Sequence, residues 1–341
     1  MHNIIEIDAS RKTPKYLQIV NGVTQSIKKG TLKKGDKIYS INEMSNEFFL
    51  SRDTVQKAYD MLEEKGYIIP IRGKGFYINR TDVATPYRIL LLFNKMSNYK
   101  KQVYNSFVKE MGNKATIDLK IYHSDTRMFL SILQTYQREY DYFVIMPHFY
   151  EDAEEAYRLI NTIPPDKLIV LDKDLPHSRA TYSAVFQDFK NDIIEALEQG
   201  MDLLRRYNKL ILVFPPVTGT PYPYEIVIGF RSFCMQYEIP YATIPELNAK
   251  TDVKAGEAYI VIEESDLVNL IKICRDKKLK IGKQVGIISY NDTALKEILL
   301  DGITVISTDH AAMGSMAAAL ILENNKQKIK NNFQMIIRKS L

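Results

Sequence analysis

The chain has 341 residues, 45% hydrophobic and 26% charged, which fits a globular protein of two or three domains. It has no run of about 18 apolar residues and no apolar signal core in MHNIIEIDASRKTPKYLQI, so the expected location is the cytoplasm. Two cysteines in so long a chain, Cys234 and Cys274, exclude a disulfide scaffold and read as small buried hydrophobes. The net charge of +5 is uneven: residues 1–80 carry 14 Lys and Arg against 9 Asp and Glu, and the rest is balanced, which suggests a basic module fused to a neutral one, with a phosphate backbone as one partner for the basic part.

Behind Pro14, Leu17, Val20, Val23, Thr24 and Ile27 recur at three- and four-residue steps, predicting an amphipathic helix that Gly30 stops. Ser40 stands three residues before Glu43, a capping-box spacing that opens a second helix, INEMSNEFF. Ser51 caps a third, RDTVQKAYDMLEEKG, whose buried face carries Val55, Ala58, Tyr59 and Leu62. YIIP and GFYI then pair as two strands around IRGK.

Three helices followed by a two-stranded wing place the N-terminal side chains of the third helix at base edges in a major groove. Those side chains are Ser51, Arg52, Asp53, Thr54, Gln56 and Lys57. Arginine grips guanine and glutamine grips adenine in bidentate fashion, while Ser and Thr hold phosphates at the helix start. The hairpin tip Arg72, Gly73 and Lys74 is doubly cationic and slim enough to approach a phosphate or a minor groove. GKG does not read as a phosphate loop, which needs G-x-x-x-x-G-K-[ST] between a strand and a helix.

Residues 14–79 resemble the winged helix-turn-helix of the GntR transcription-factor family in YLQI, GTLKKGDKIYS, LSRDTVQKAYDMLEEKGYI and GKGFYI. By that resemblance Arg52, Thr54, Arg72, Gly73 and Lys74 occupy DNA-contacting places. Ile41, Asn42, Asp53 and Gln56 depart from the residues common in the family, which implies a changed base preference.

The polar, proline-terminated stretch NRTDVATPY has no period. We assign 81–87 as a linker between a DNA-binding domain over 1–80 and an effector domain over 88–341. From Arg88, near-continuous apolar strands (RILLLFN, DYFVIMPH, KLIVLD, KLILVFPP, AYIVIEE, QVGIISYN) alternate with helices. This is an α/β pattern with parallel sheets, and too many strands for one small sheet, so two lobes are expected. Ligands of open α/β sheets bind outside the C-terminal strand ends. Those ends supply Asn94, Tyr99, His148, Phe149, Asp172, Tyr224, Glu263, Asn291 and Asp292, a lining of amides, carboxylates and aromatics that suits sugar hydroxyls and ring faces.

Residues 88–341 resemble the periplasmic-binding-protein-like sensor domain of the LacI/GalR family in KLIVLDKDLP, GKQVGIISYNDTALKEILLDGITVIST, AAMGSMAAALIL and MIIRKSL. The resemblance puts Asn291, with Asp292 beside it, and Glu263 at inducer-contacting places, and Phe149 and Asp172 at pocket-side strand ends. Where that family usually carries an arginine, three residues before Gly229-Phe230, this chain has Ile226. Arg231 or Lys173 could substitute, or the ligand lacks the group that arginine grips. With no clustered arginine or glycine nest at these loops, the expected effector is a neutral monosaccharide, a pentose or deoxyhexose such as arabinose or fucose. A nucleoside or other non-sugar metabolite is the alternative.

No G-x-S-x-G elbow and no G-x-G-x-x-G fingerprint occur, so no enzyme is expected. Five scattered histidines (His2, His123, His148, His177, His310) have no metal-ligand spacing, and neither a metal nor a cofactor is expected. Both resemblances imply a homodimer that binds operator DNA and represses or activates under effector control.

Overall fold

The computed structural model describes residues 7–8, 13–81, 86–176, 181–215 and 222–341, and the chain divides into two units, Met1–Tyr87 and Arg88–Leu341. Of the expected linker 81–87, residues 82–85 lie outside the described residues, and Tyr87 is already the first residue of a strand.

The first unit runs α1 (Lys15–Lys28), β1 (Lys37–Ile38), α2 (Ile41–Glu47), α3 (Arg52–Glu64), β2 (Ile68–Ile71) and β3 (Gly75–Ile78), with an antiparallel sheet in the order β1-β3-β2. Gly30 ends α1 at φ +71°, a left-handed conformation that only glycine adopts freely. The capping box at α2 is complete: Glu43 N–H donates to Ser40 Oγ at 3.3 Å, and Ser40 N–H donates to Glu43 Oε2 at 2.7 Å. Val55, Ala58, Tyr59 and Leu62 are fully buried on one face of α3. Burial of a side chain the size of Val55 or Leu62 contributes about 1.5–3 kcal/mol, so this one face anchors the helix to α1 and α2.

The second helix is shorter than its apolar pattern suggests. It stops at Glu47, and Phe49 sits at φ +52° with 92% of its surface exposed. A bulky residue in the left-handed region is strained, and Phe49 buries nothing in return. Phe49→Gly should therefore raise stability by about 0.5–1 kcal/mol, strain relief exceeding the extra unfolded-chain entropy of glycine. A higher urea midpoint checks this, and a lower one would show that Phe49 makes a stabilising contact.

The second unit begins with β4 (Tyr87–Phe93), α4 (Asn98–Met111), β5 (Ala115–Ile121), α5 (Thr126–Tyr136), β6 (Tyr142–Ile145), α6 (Ala153–Ile160), β7 (Leu168–Asp172) and β8 (Ser183–Phe186). It continues with α7 (Phe189–Gln199), α8 (Met201–Leu204), β9 (Lys209–Val213), α9 (Glu225–Gln236), β10 (Tyr241–Ile244), β11 (Glu257–Val261), α10 (Glu264–Asp276), β12 (Val285–Tyr290), α11 (Ala294–Ile298) and β13 (Thr304–Thr308). It closes with α12 (His310–Leu322), β14 (Lys328–Lys330) and β15 (Phe333–Ile336).

Two six-stranded sheets result, β14-β8-β7-β6-β4-β5 in the first lobe and β10-β9-β11-β12-β13-β15 in the second. The pairs are parallel except β13–β15, among those whose register is described. The near-continuous apolar runs reflect burial on both faces, Ile89 to Phe93 being wholly inaccessible. The chain passes between lobes three times: from β8 to α7, from β13 to α12, and from β14 to β15. Buried Asn331 ties these passages together, its Nδ2 donating to Thr308 Oγ1 at 2.7 Å and to the Asp309 carbonyl at 2.9 Å, its backbone N–H to the Phe186 carbonyl at 2.8 Å.

Candidate functional site

In the first unit, Ser51 caps α3, its Oγ accepting from Thr54 N–H at 3.2 Å and lying 2.7 Å from Thr54 Oγ1. The two hydroxyls thus fix the first turn of the helix. Arg52 and Asp53 are exposed beside them. Gln56 and Lys57 are exposed but engaged: Gln56 Nε2 donates to Asp60 Oδ1 at 2.7 Å, and Lys57 Nζ sits 4.1 Å from the Tyr16 ring centre. Both partners must be released, or shared, if these side chains touch a base. Across the β2–β3 turn the Lys74 N–H donates to the Ile71 carbonyl at 2.9 Å, and Gly73 takes φ +74°, as the third position of a type II turn requires. Arg72, Gly73 and Lys74 are all exposed there.

In the second unit a cleft, partly open to solvent, lies at the C-terminal strand ends and takes side chains from both lobes. The first lobe contributes Asn94, Lys95, Tyr99, Lys100, His148 and Asp172. Gln187 and Phe189 enter from the first interlobe passage, Tyr222, Pro223 and Ile226 from the approach to α9 and its first turn. Tyr290 and Asn291 close it from β12, and His310 from the start of α12.

Asp172 is the electrostatic centre. Burial by itself would raise its pKa, but His148 Nε2 at 2.7 Å, the nearby Lys100 ammonium and Gln187 Nε2 together hold it well below the usual carboxylate range. Burial lowers the His148 pKa against the pull of Asp172, so the pair is a neutral imidazole donating from Nε2 to an ionised carboxylate. Lys100 is buried, its ammonium bonded to Asn94 Oδ1, and burial pushes it down to about 8. His310 stacks on Tyr99 with ring centres 4.9 Å apart, and burial lowers it to about 4. Asp172 and Asn291 both sit in the left-handed region, φ +73° and +60°, which short Asp and Asn side chains tolerate and which turns each strand end toward the cleft. Two buried lining atoms, the Tyr290 hydroxyl and Gln187 Oε1, have no hydrogen-bond partner among the described residues. Such atoms are costly unless a ligand or water satisfies them.

Residues 15–78 match the family described as bacterial regulatory proteins, gntR family. The HTH-type transcriptional repressor YtrA of Bacillus subtilis (strain 168) is 36% identical over 100 residues, 29% of this chain and 73% of that relative. The chain belongs to the gntR family. A second relative, the arabinose metabolism transcriptional repressor of Geobacillus stearothermophilus, is 39% identical over 67 residues, but these cover 20% of this chain and 18% of that relative. Residues 203–340 of this gntR-family chain match the periplasmic binding protein-like domain. A solved LacI family transcriptional regulator from Lactobacillus casei with bound glucose aligns at TM-score 0.57 and 13% identity, covering 74% of this chain and 99% of that one, a likeness of fold. Among the described residues no helix is long and apolar enough to cross a membrane.

Of the effector residues read from the sequence of this gntR-family member, the structure brings Asn94, Tyr99, His148, Asp172 and Asn291 together around the cleft and leaves four outside its lining. Phe149 turns into the first-lobe core, 5.2 Å from Tyr122, 5.1 Å from Phe129 and 5.8 Å from Tyr157 between ring centres. Asp292 is held by Arg338 in a bidentate pair at 2.9 and 2.7 Å. Tyr224 is 54% exposed at the cap of α9, and Tyr222, two residues earlier, takes the lining place. Glu263 stands behind Tyr222, facing its hydroxyl. Ile226, at the place where an arginine was expected by resemblance, does line the cleft and presents an apolar surface. Sequence reasoning missed Lys95, Lys100, Gln187, Tyr222, Tyr290 and His310 as site residues. Lys95, Tyr222 and Tyr290 stand one or two positions from Asn94, Tyr224 and Asn291, which the strand-end rule did name. His177, the loop 216–221 and His2 lie outside the described residues.

Proposed function

We propose that the protein is a sugar-responsive transcriptional regulator, a repressor in the manner of its named relatives. The first unit binds operator DNA, and the cleft of the second takes a monosaccharide-sized effector whose binding changes operator affinity. The observation that carries this reading is the pair of unsatisfied buried groups, Tyr290 OH and Gln187 Oε1, on a cleft built at strand ends from both lobes, in a chain whose other unit is a gntR-type helix-turn-helix. The arabinose repressor among its relatives and the glucose bound by a structural neighbour support the sugar class. A ligand bridging the lobes favours one interlobe arrangement, and in a homodimer this alters the spacing of the two recognition helices. Effector and operator affinities are then reciprocally coupled, with about 1–3 kcal/mol sufficient for a switch.

For the DNA contacts, Arg52→Ala should cost about 1–3 kcal/mol of operator affinity and relax preference at one base pair. Lys74→Ala should weaken all sequences alike and reduce the salt slope by about 1. Fluorescence anisotropy with selected operator and scrambled duplexes measures both. Unchanged operator affinity of the Arg52 variant would remove α3 as the reading helix. For the sensor, a thermal-shift panel of free sugars, sugar acids, sugar phosphates and nucleosides tests the cleft, since saturation at about 100 times Kd adds roughly 2.7 kcal/mol.

A further inference from the structure

We propose that the effector carries an acidic group, carboxylate or phosphate, held between Lys95 and Lys100 at the start of α4. This rests on the effector reading above and adds the charge class of the ligand to it. The sequence pointed to a neutral sugar because no arginine cluster was visible; the cleft instead holds two lysines.

Lys100 is only 3% exposed, yet among the described residues its ammonium has a single acceptor, Asn94 Oδ1. Neither Lys95 nor Lys100 has a carboxylate within 4.0 Å among those residues. The carboxylate that shares the cleft, Asp172, accepts from His148 Nε2 and from Gln187 Nε2 and acts on Lys100 and Lys95 through space, without a direct ion pair to either. Glu263 lies outside the lining, engaged with the Tyr222 hydroxyl, and acts on Lys95 only through space. His148 and His310, both held neutral by burial, add no charge near pH 7. The cleft thus keeps two ammonium groups without an ion-pair partner, one of them buried. A buried ammonium with no direct carboxylate contact is disfavoured, so an acidic group brought by the ligand would supply the contact that Asp172 does not make. Both lysines flank the first turn of α4, a 14-residue helix capped by Ser97, whose N-terminal dipole adds to the same field. Tyr290 OH and Gln187 Oε1 remain for the hydroxyls of the uncharged part.

The test is calorimetric titration of the full chain with matched sets: glucose, gluconate, glucuronate and glucose 6-phosphate, the galactose, mannose and arabinose counterparts, fucose, and nucleosides. An acid should bind at least about tenfold more tightly than its neutral parent, the worth of one charge-assisted hydrogen bond. Lys95→Gln, whose folding is checked by circular dichroism because Lys95 is partly buried over the Tyr222 ring, should remove that advantage. The carboxylate and phosphate arms decide which acid is meant. A bound anion should also raise the Lys100 pKa from about 8, giving net proton uptake at pH 8 when buffers of different ionisation enthalpy are compared. A neutral sugar binding as tightly as its acid, with no proton uptake and no charge-selective loss in Lys95→Gln, overturns the acidic subsite and leaves the effector reading standing. Binding of no compound in either class removes the effector reading and the subsite together.

Discussion

Gly314→Val should lower the stability of the second unit by about 3 kcal/mol or more and abolish effector binding with it. A Cβ at position 314 would lie 2.2 Å from the Val103 carbonyl oxygen and 3.0 Å from the Phe107 nitrogen. Both are backbone atoms of α4, so no rotamer change relieves the contact, and α4 must move away from α12 as a body. These two helices are also the ones that bring Tyr99 and Lys100, on α4, to His310, on α12. Separating them opens the Tyr99–His310 stack and displaces the lysine beside it. Urea unfolding followed by circular dichroism, with the ligand panel repeated on the variant, measures both effects. Gly314→Ala should show a smaller loss of the same sign. An unchanged midpoint in the valine variant would mean that α4 and α12 do not pack at this distance in solution.

Between about pH 6.5 and 4, acidification should cost the native second unit stability that His310→Gln does not lose, while Asp192, whose carboxyl burial raises to about 6, offsets part of the loss in both proteins. The folded pKa of His310 is about 4, depressed by burial from the ordinary histidine value of 6.5. A group with a depressed folded pKa contributes fully above its unfolded value and loses that contribution as pH falls toward the folded one. For a gap of this size the loss reaches about 3 kcal/mol. The charged groups acting on His310 are Asp172, Lys100, Asp309 and Asp292, and none outweighs burial. His148 is shifted the same way and adds to the loss. Asp172 acts in a different window, since a carboxylate held below its ordinary range gives up its contribution only under more acid conditions. Across this pH range the urea midpoint of the native chain should drop relative to that of His310→Gln, whatever the shared slope of the two. Parallel slopes for the two proteins would show that His310 titrates normally.

The first unit was legible in the sequence because its signals are local. Ser40 and Glu43, Ser51 with the period of α3, and Gly30 act within one or two turns of chain. The alternating lobes were legible from their buried strands. What escaped depended on distant partners or on short elements. β8 has four residues and β14 three, too few for a periodic signal, so Gln187, which follows β8, could not be recognised as a strand end. Asp292 looked available until Arg338, 46 residues later, was seen to claim both its oxygens. Phe149 was placed at the right strand end, but its side chain joins the aromatic core instead of the cleft. Lys100 was not singled out, because a lysine in the first turn of a helix carries no signal of burial, and only the structure shows it 3% exposed.

The three passages joined by Asn331 have a consequence for how the chain is made. Neither lobe is a continuous stretch of sequence: the first waits for α12 and β14, and the second for β15. On a ribosome moving at about 5–20 residues per second, the helix-turn-helix unit would emerge roughly 12–50 s before these last elements. During that interval β8 lacks the neighbour that later covers its edge, and the nascent sensor depends on chaperones or on speed to avoid pairing with another chain. A premature stop near residue 325 would remove one strand from each sheet and cripple both lobes at once. The DNA-reading unit would survive such a stop, detached from any control by the effector.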